Sequence, residues 1–226
     1  NWASAASAPL STYKFFAGEG GIRVPLIISG IPNMPKSASN KVHASLTHVK
    51  DIVPTLLELA GVQHPGTVYK GQTIYPLTGH SLMPVIAGDA IRVRGPDEIL
   101  GYELSGNKAL FKGDFKLLSN LAPVGDGQWR LYNIVKDPGE TQDLQLELPD
   151  LFLSMQADYA KWAKANGVLE MPAGYDPIQQ VIINSLVFVY WPRYQMHLLG
   201  LVGVLLLGTF WFWRRRKHRP LSQAAH

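Results

Sequence analysis

The sequence predicts an α/β chain with a small antiparallel sheet and closing helix, followed by one membrane-crossing helix. Three observations predict it. A β-branched run, "IRVPLIISG" (Ile22–Gly30), precedes a helical pattern, "DIVPTLLELAG" (Asp51–Gly61). Near residue 95 the apolar period changes from helical to alternating. The uncharged run Tyr194–Trp213 is followed at once by "RRRKHR", Arg214–Arg219.

The chain has 226 residues, 46% of them hydrophobic, enough for one domain with a buried core and an appendage. It opens on Asn1-Trp2 without Met, and residues 1–13 carry no secretory signal, so the expectation is a piece of a longer chain. Cys is absent, which excludes disulfides, thiolate metal sites and a thiol nucleophile. The net charge of +4 is uneven: residues 1–180 hold 15 Lys and Arg against 17 Asp and Glu, whereas 181–226 hold six basic residues and no acid. Basic residues gathered behind an apolar run fit a membrane, not a nucleic-acid-binding face, so no nucleic-acid partner is expected.

The elements follow in order. Ile22–Gly30 reads as a buried strand and "IPNMPKSASN" (Ile31–Asn40) as a loop. Asp51–Ala60 reads as a helix, with Asp51 at its N-cap, Pro54 in the first turn and Gly61 as the stop. Ile52, Val53, Leu56, Leu59 and Ala60 form its apolar face. "TGHSLMPVIAG" gives a short helix capped near Ser81. Glu98–Asn133 gives an antiparallel sheet, with turns at Ser105-Gly106-Asn107, Gly113-Asp114 and Gly125-Asp126-Gly127. Glu147–Asn166 closes the domain as a helix, with Leu151, Met155, Tyr159 and Trp162 on one face. "MPAGYDP" reads as a linker, and "VIINSLVFVYW" is too short to span and is stopped by Pro192. The expected divisions are 1–93, 94–170, 171–193 (linker and interfacial segment), 194–213 (membrane helix) and 214–226 (basic cytoplasmic tail). The basic flank places residues 1–190 on the periplasmic or extracellular side.

For chemistry, Lys14 stands five residues before Glu19-Gly20-Gly21. A lysine held at a Gly-rich turn can stabilise a tetrahedral anion or protonate a leaving oxygen, but the same pattern suits a solvated lysine. The glycines do not match a phosphate-binding loop. His43, His48, His64 and His80 lack metal-ligand spacing, and no carboxylates cluster, so no metal ligand is expected within the chain. "SAPLS" (Ser7–Ser11) has Ser-x-Pro-x, but Ser11 follows where a reactive motif would carry Arg.

"YKFFAGEGGIRVPLI", "THVKDIVPTLLELAGV", "GHSLMPVIAG", "ALFKGDFKLL" and "WRLYNIVKDPGETQDL" occur in this order over about residues 10–170. Each resembles a block from the C-terminal third of type I arylsulfatases, in the alkaline phosphatase superfamily. The resemblance implies the C-terminal part of a large mixed α/β domain with a small antiparallel sheet and closing helix. It implies that Lys14 contacts the sulfate of a small-molecule sulfate ester and assists departure of the alcohol. Glu19, Gly20, Gly21 and Arg23 are structural by the same analogy, through the turn, close backbone approach and an internal ion pair. The formylglycine nucleophile and a divalent metal, calcium, would come from sequence outside these residues, and the 226 residues alone would not turn over. A phosphodiesterase or phosphonate hydrolase of the same superfamily, and a non-catalytic module tethered to the membrane through Tyr194–Trp213, are the alternatives.

Overall fold

The computed structural model describes residues 2–31, 41–172 and 174–217. It divides into two compact units, Asn1–Glu170 and Met171–His226.

The first unit begins with helix α1 (Trp2–Ser7) and a single turn, α2 (Glu19–Ile22). A 3₁₀ turn at Val49–Asp51 runs into α3 (Ile52–Leu59), followed by the hairpin β1 (Val68–Tyr69) and β2 (Gln72–Thr73) and by α4 (Met83–Ala87). The antiparallel sheet β3 (Ile99–Leu104), β4 (Asn107–Lys112), β5 (Phe115–Ser119) and β6 (Arg130–Asn133) comes next, and α5 (Pro149–Ala165) closes the unit.

The sheet is a meander in sequence order. Its first turn, Ser105-Gly106, has φ of 51° and 84°, both left-handed, as the twist of a two-residue hairpin requires. Register then fixes the faces. Leu110, Leu117 and Leu131 point to α5 and pack on Met155 and Tyr159. Leu100, Ala109, Phe111, Leu118 and Tyr132 form the other face, against Ala17. Because both faces are covered, "ALF" and "LL" appear as continuous apolar runs. On α5, Met155 and Tyr159 are buried while Leu151 and Trp162 pack partly buried against them, which is the expected stripe.

Three expectations change. Residues 23–30 form no strand: beyond the Arg23 N–H, which donates to the Glu19 carbonyl, the backbone makes no hydrogen bond among the described residues, and Val24, Leu26, Ile27 and Ile28 are exposed. A strand needs a neighbour for its N–H and C=O groups, and none of the described strands lies alongside. The apolar face of α3 is likewise open: Ile52, Val53, Leu56 and Leu59 are exposed, and Thr55 is its buried residue. The helix is nevertheless where the sequence put it and ends at Gly61 with φ 65°.

The third change is in the second unit. Pro192 does not stop the helix: α6 (Pro177–Ser185), a π-turn (Leu186–Tyr190) and α7 (Trp191–Lys217) are continuous. In an α-helix the ring of Pro192 would meet the Phe188 carbonyl, which here lies within the wide turn. The Trp191 N–H reaches back five residues to the Leu186 carbonyl. The start at Pro177 follows from Asp176, whose carboxylate accepts from the Ile178 and Gln179 amides. Pro177–Arg214 is one helix of 38 residues, long and apolar enough to cross a membrane. The expected span Tyr194–Trp213 lies inside it. The hydroxyls of Ser185 and Thr209 bond the carbonyls of Val181 and Leu206 on their own helix. Most of the expected loop Ile31–Asn40 and of the basic tail, residues 218–226, lies outside the described residues.

Candidate functional site

The segment from Ser11 to Gly21 is the candidate site, and its backbone is tied at several points. The Gly20 N–H donates to the Ser11 carbonyl at 2.7 Å. The Ala17 N–H donates to Asn120 Oδ1 at 2.8 Å, and the Glu19 N–H to Glu140 Oε2 at 2.9 Å. Phe16 is buried, with the rings of Tyr13 and Phe15 edge-on to it at 5.2 and 5.5 Å. Thr12 and Phe15 sit at φ 65° and 96°, a region that costs a non-glycine residue about 1–3 kcal/mol and persists only where the surroundings enforce it. The glycines serve close approach: a Cβ at Gly18 would meet Thr12 Oγ1, at Gly20 the Thr12 carbonyl, and at Gly21 the Phe16 carbonyl.

Beneath this loop lies a buried charge cluster. Lys116 is 0% exposed on the loop-facing side of β5. Its Nζ is 2.9 Å from Glu19 Oε1, 2.7 Å from Glu140 Oε1 and 5.1 Å from the centre of the Phe111 ring. Arg23 adds a longer, half-exposed contact to Glu19 Oε2 at 3.5 Å. Burial pushes the Glu140 carboxyl above its ordinary pKa, and the charge and hydrogen bond of Lys116 offset this in part. Glu140 itself sits at φ 54° in the turn after β6. One cation therefore holds together the loop, β5 and that turn.

Lys14 projects from this fixed loop. It is exposed and makes no hydrogen bond or ion pair among the described residues. The expected ion pair of Glu19 is present, but its main partner is Lys116, not Arg23.

Asp51 is not a side-chain cap of α3. Its buried carboxylate accepts from Arg94 Nη2 at 2.6 Å and Nη1 at 2.8 Å, and from the His48 and His80 amides at 2.7 and 3.0 Å. Burial pushes this carboxyl up, but the hydrogen bonds from Arg94, His80 and His48 together hold it below its ordinary value. His80 Nε2 and Glu98 Oε1, 2.7 Å apart, extend the cluster to the surface. The Asp51–Arg94 pair ties the start of α3 to the segment before the sheet. Sequence reasoning missed Arg94, Lys116 and Glu140, because a charged residue in a strand or turn looks solvated until its burial is known. The short Lys-Leu-Leu run in β5 was the available signal, since Lys116 there shares a face with Leu118.

No group of three or more His, Cys, Asp or Glu among the described residues could hold a metal ion.

An antiparallel sheet closed by a helix fits the fold of sulfatases, and this chain belongs to the sulfatase family as a C-terminal portion. The chain is 31% identical over 172 residues to an uncharacterised sulfatase of Schizosaccharomyces pombe, covering 76% of this chain and 30% of that protein. It is 30% identical over 151 residues to arylsulfatase K of Danio rerio, covering 62% of this chain and 25% of that one. The crystal structure of Ps i-CgsB in complex with k-i-k-neocarrahexaose superposes with a TM-score of 0.56 at 23% identity, over 79% of this chain and 36% of that one. That likeness shows the fold. No family model matches. The chain spans less than a third of the length of these curated relatives.

Proposed function

We propose that this chain is the C-terminal part of a membrane-anchored arylsulfatase that hydrolyses small-molecule sulfate esters. The observation that carries the reading is the 31% identity to a sulfatase over 172 residues. The resemblance assigns a formylglycine nucleophile and a divalent metal, calcium, to sequence outside this chain; when present they supply attack on sulfur and neutralisation of the sulfate charge. What this chain supplies is Lys14. Negative charge develops on the bridging oxygen as the S–O bond breaks, and an ammonium fixed near it stabilises that charge and gives the departing alcohol its proton. The tied backbone supports this role by fixing the point from which the Lys14 side chain reaches. The 226 residues alone do not turn over sulfate esters.

Anchoring rests on the uncharged run of 20 residues, Tyr194–Trp213, which at 1.5 Å per residue is about 30 Å, the thickness of a bilayer core. Trp191 and Tyr194 at one end and Trp211 and Trp213 at the other suit the two interfaces. The basic block Arg214–Arg219 sets the C-terminus in the cytoplasm and the sulfatase portion on the periplasmic or extracellular side.

The test is Lys14→Ala in the assembled enzyme, read as kcat/KM over aryl sulfates of graded leaving-group pKa. The expected loss is about 10²–10³-fold, or roughly 2.7–4 kcal/mol, and largest for the poorest leaving alcohols. Lys14→Arg restores it incompletely, since a planar fork does not replace a compact proton donor. Unchanged rates across the series overturn the role.

A further inference from the structure

The densest positive charge of the chain stands at the end of α7. Arg214, Arg215, Arg216 and Lys217 are four consecutive cations, and residues 181–226 contain no Asp or Glu. The nearest acid in the second unit is Asp176, which caps the other end of the long helix, about 57 Å away at 1.5 Å per residue. The block begins in regular structure, because α7 stays helical through Lys217. Successive helical positions turn by about 100°, so the four positions are spread round the whole circumference of the helix. All four lie within about 6 Å along the axis beyond Trp213. Like charges this close repel one another, and the carbonyls at the helix end offset only part of that repulsion.

The surroundings select the counter-anion. Trp211 and Trp213 suit the headgroup level of a membrane, so the ring of cationic positions begins where lipid phosphates lie. An acidic protein face approaches a helix from one side and meets part of such a ring. Lipid headgroups surround the helix and meet all of it. The opposite end of the span offers no comparable charge. Arg193 is the only Lys, Arg, Asp or Glu between Pro177 and Trp213, and its guanidinium lies 5.8 Å from the centre of the Tyr194 ring.

We propose that Arg214–Lys217 form a binding site for anionic phospholipid headgroups in the leaflet where α7 ends. The inference rests on the membrane-anchored reading and goes beyond it. Orientation needs only more cations on one side than the other. A ring of four makes the anchor select its lipid shell, exchanging zwitterionic lipids for anionic ones at that end of the helix and not at the Arg193 end. The anchored protein then gathers in membrane rich in anionic lipid.

Electron paramagnetic resonance of lipids spin-labelled near the end of an acyl chain tests it, with the full chain reconstituted in phosphatidylcholine vesicles. Labelled phosphatidylglycerol and labelled phosphatidylcholine are compared for the fraction held immobile against the protein. One surface cation favours an anionic lipid about fivefold; averaged over all lipids round the helix, the expected preference for phosphatidylglycerol is about two- to threefold. It should fall to about one in 1 M NaCl, where charges are screened beyond about 3 Å. The variant Arg214→Gln, Arg215→Gln, Arg216→Gln, Lys217→Gln should lose it too, while Arg193→Gln should keep it. The salt comparison uses the wild type, so it decides the matter even if the fourfold variant fails to insert. Equal immobilisation of the two lipids by the wild type overturns the lipid site and leaves the span standing. No immobilised lipid of either kind overturns the span as well. A preference that persists in 1 M NaCl, that follows Arg193 instead, or that soluble glycerol phosphate abolishes, making the block a site for free phosphate, also overturns the proposal.

Discussion

In β4 and β5, Leu110 and Leu117 are fully buried, whereas Val24 and Ile27 of the extended segment are 80% and 89% exposed. Both regions are runs of apolar residues. They differ in company. β4 has a strand on each side, α5 on one face and the Lys14 loop on the other. Residues 23–30 have neither strand nor layer among the described residues, and α3, which starts at Ile52, keeps its own apolar face open. Apolar content therefore measures how much surface a segment can bury, while the partner decides whether it does. The charged residues show the same rule from the other side: Lys116 is buried where two carboxylates meet it, and Lys14 is exposed, with no carboxylate on it among the described residues.

The sharpest way to break this comparison is at Lys116. Replacing it with Met leaves Glu140 buried and unpaired and Glu19 with only its longer contact to Arg23, and the first unit should lose about 3–5 kcal/mol in urea unfolding. Hydrogen exchange at the Ala17 and Glu19 amides should quicken with it; an unchanged unfolding midpoint would mean that the carboxylates reach water. Next comes Leu117→Ala, expected to cost about 2–5 kcal/mol as a cavity between sheet and helix.

The pH dependence follows from two carboxyls with opposite shifts. Glu140 is raised above 4.5, so the folded state holds its proton more tightly than the unfolded state, and stability rises as the pH falls toward 4.5. Asp51 is lowered below 3.8, so its contribution is complete above 3.8 and is lost as the pH falls through its folded value. Thermal unfolding should thus show greatest stability in mild acid, with Glu140→Gln removing the rise and Asp51→Asn the fall. A midpoint flat from pH 7 to 3 would contradict both assignments. The smallest expected effect is Ile27→Ser, within about 0.5 kcal/mol, because the side chain is already in water. A cost of several kcal/mol there would mean that the segment is covered in solution.

Legibility in the sequence followed the range of the forces involved. The sheet, its turns and α5 were readable because local propensity, turn residues and period agree with burial. Ser105-Gly106 alone selects a tight hairpin, and Met155 and Tyr159 alone mark the buried stripe. The strand expected at Ile22–Gly30 was the reverse case, since strand pairing depends on residues far along the chain. Lys14 was singled out by its place before Glu19-Gly20-Gly21 and by the resemblance, yet the cluster that fixes its loop comes from positions about a hundred residues away. No spacing rule reaches that far. Pro192 misled because its usual effect is local, and the π-turn that absorbs it draws on backbone hydrogen bonds that leave no residue signature.

That wide turn has one more consequence. An ordinary helix carries a side-chain stripe forward at a constant azimuth, but a π-turn takes up extra residues and rotates everything after it. Side chains of Pro177–Ser185 and of Trp191–Lys217 are therefore out of phase about a common axis, so one flat partner cannot follow a single line of residues along all 38. At about 57 Å the rod is also nearly twice the depth of a bilayer core.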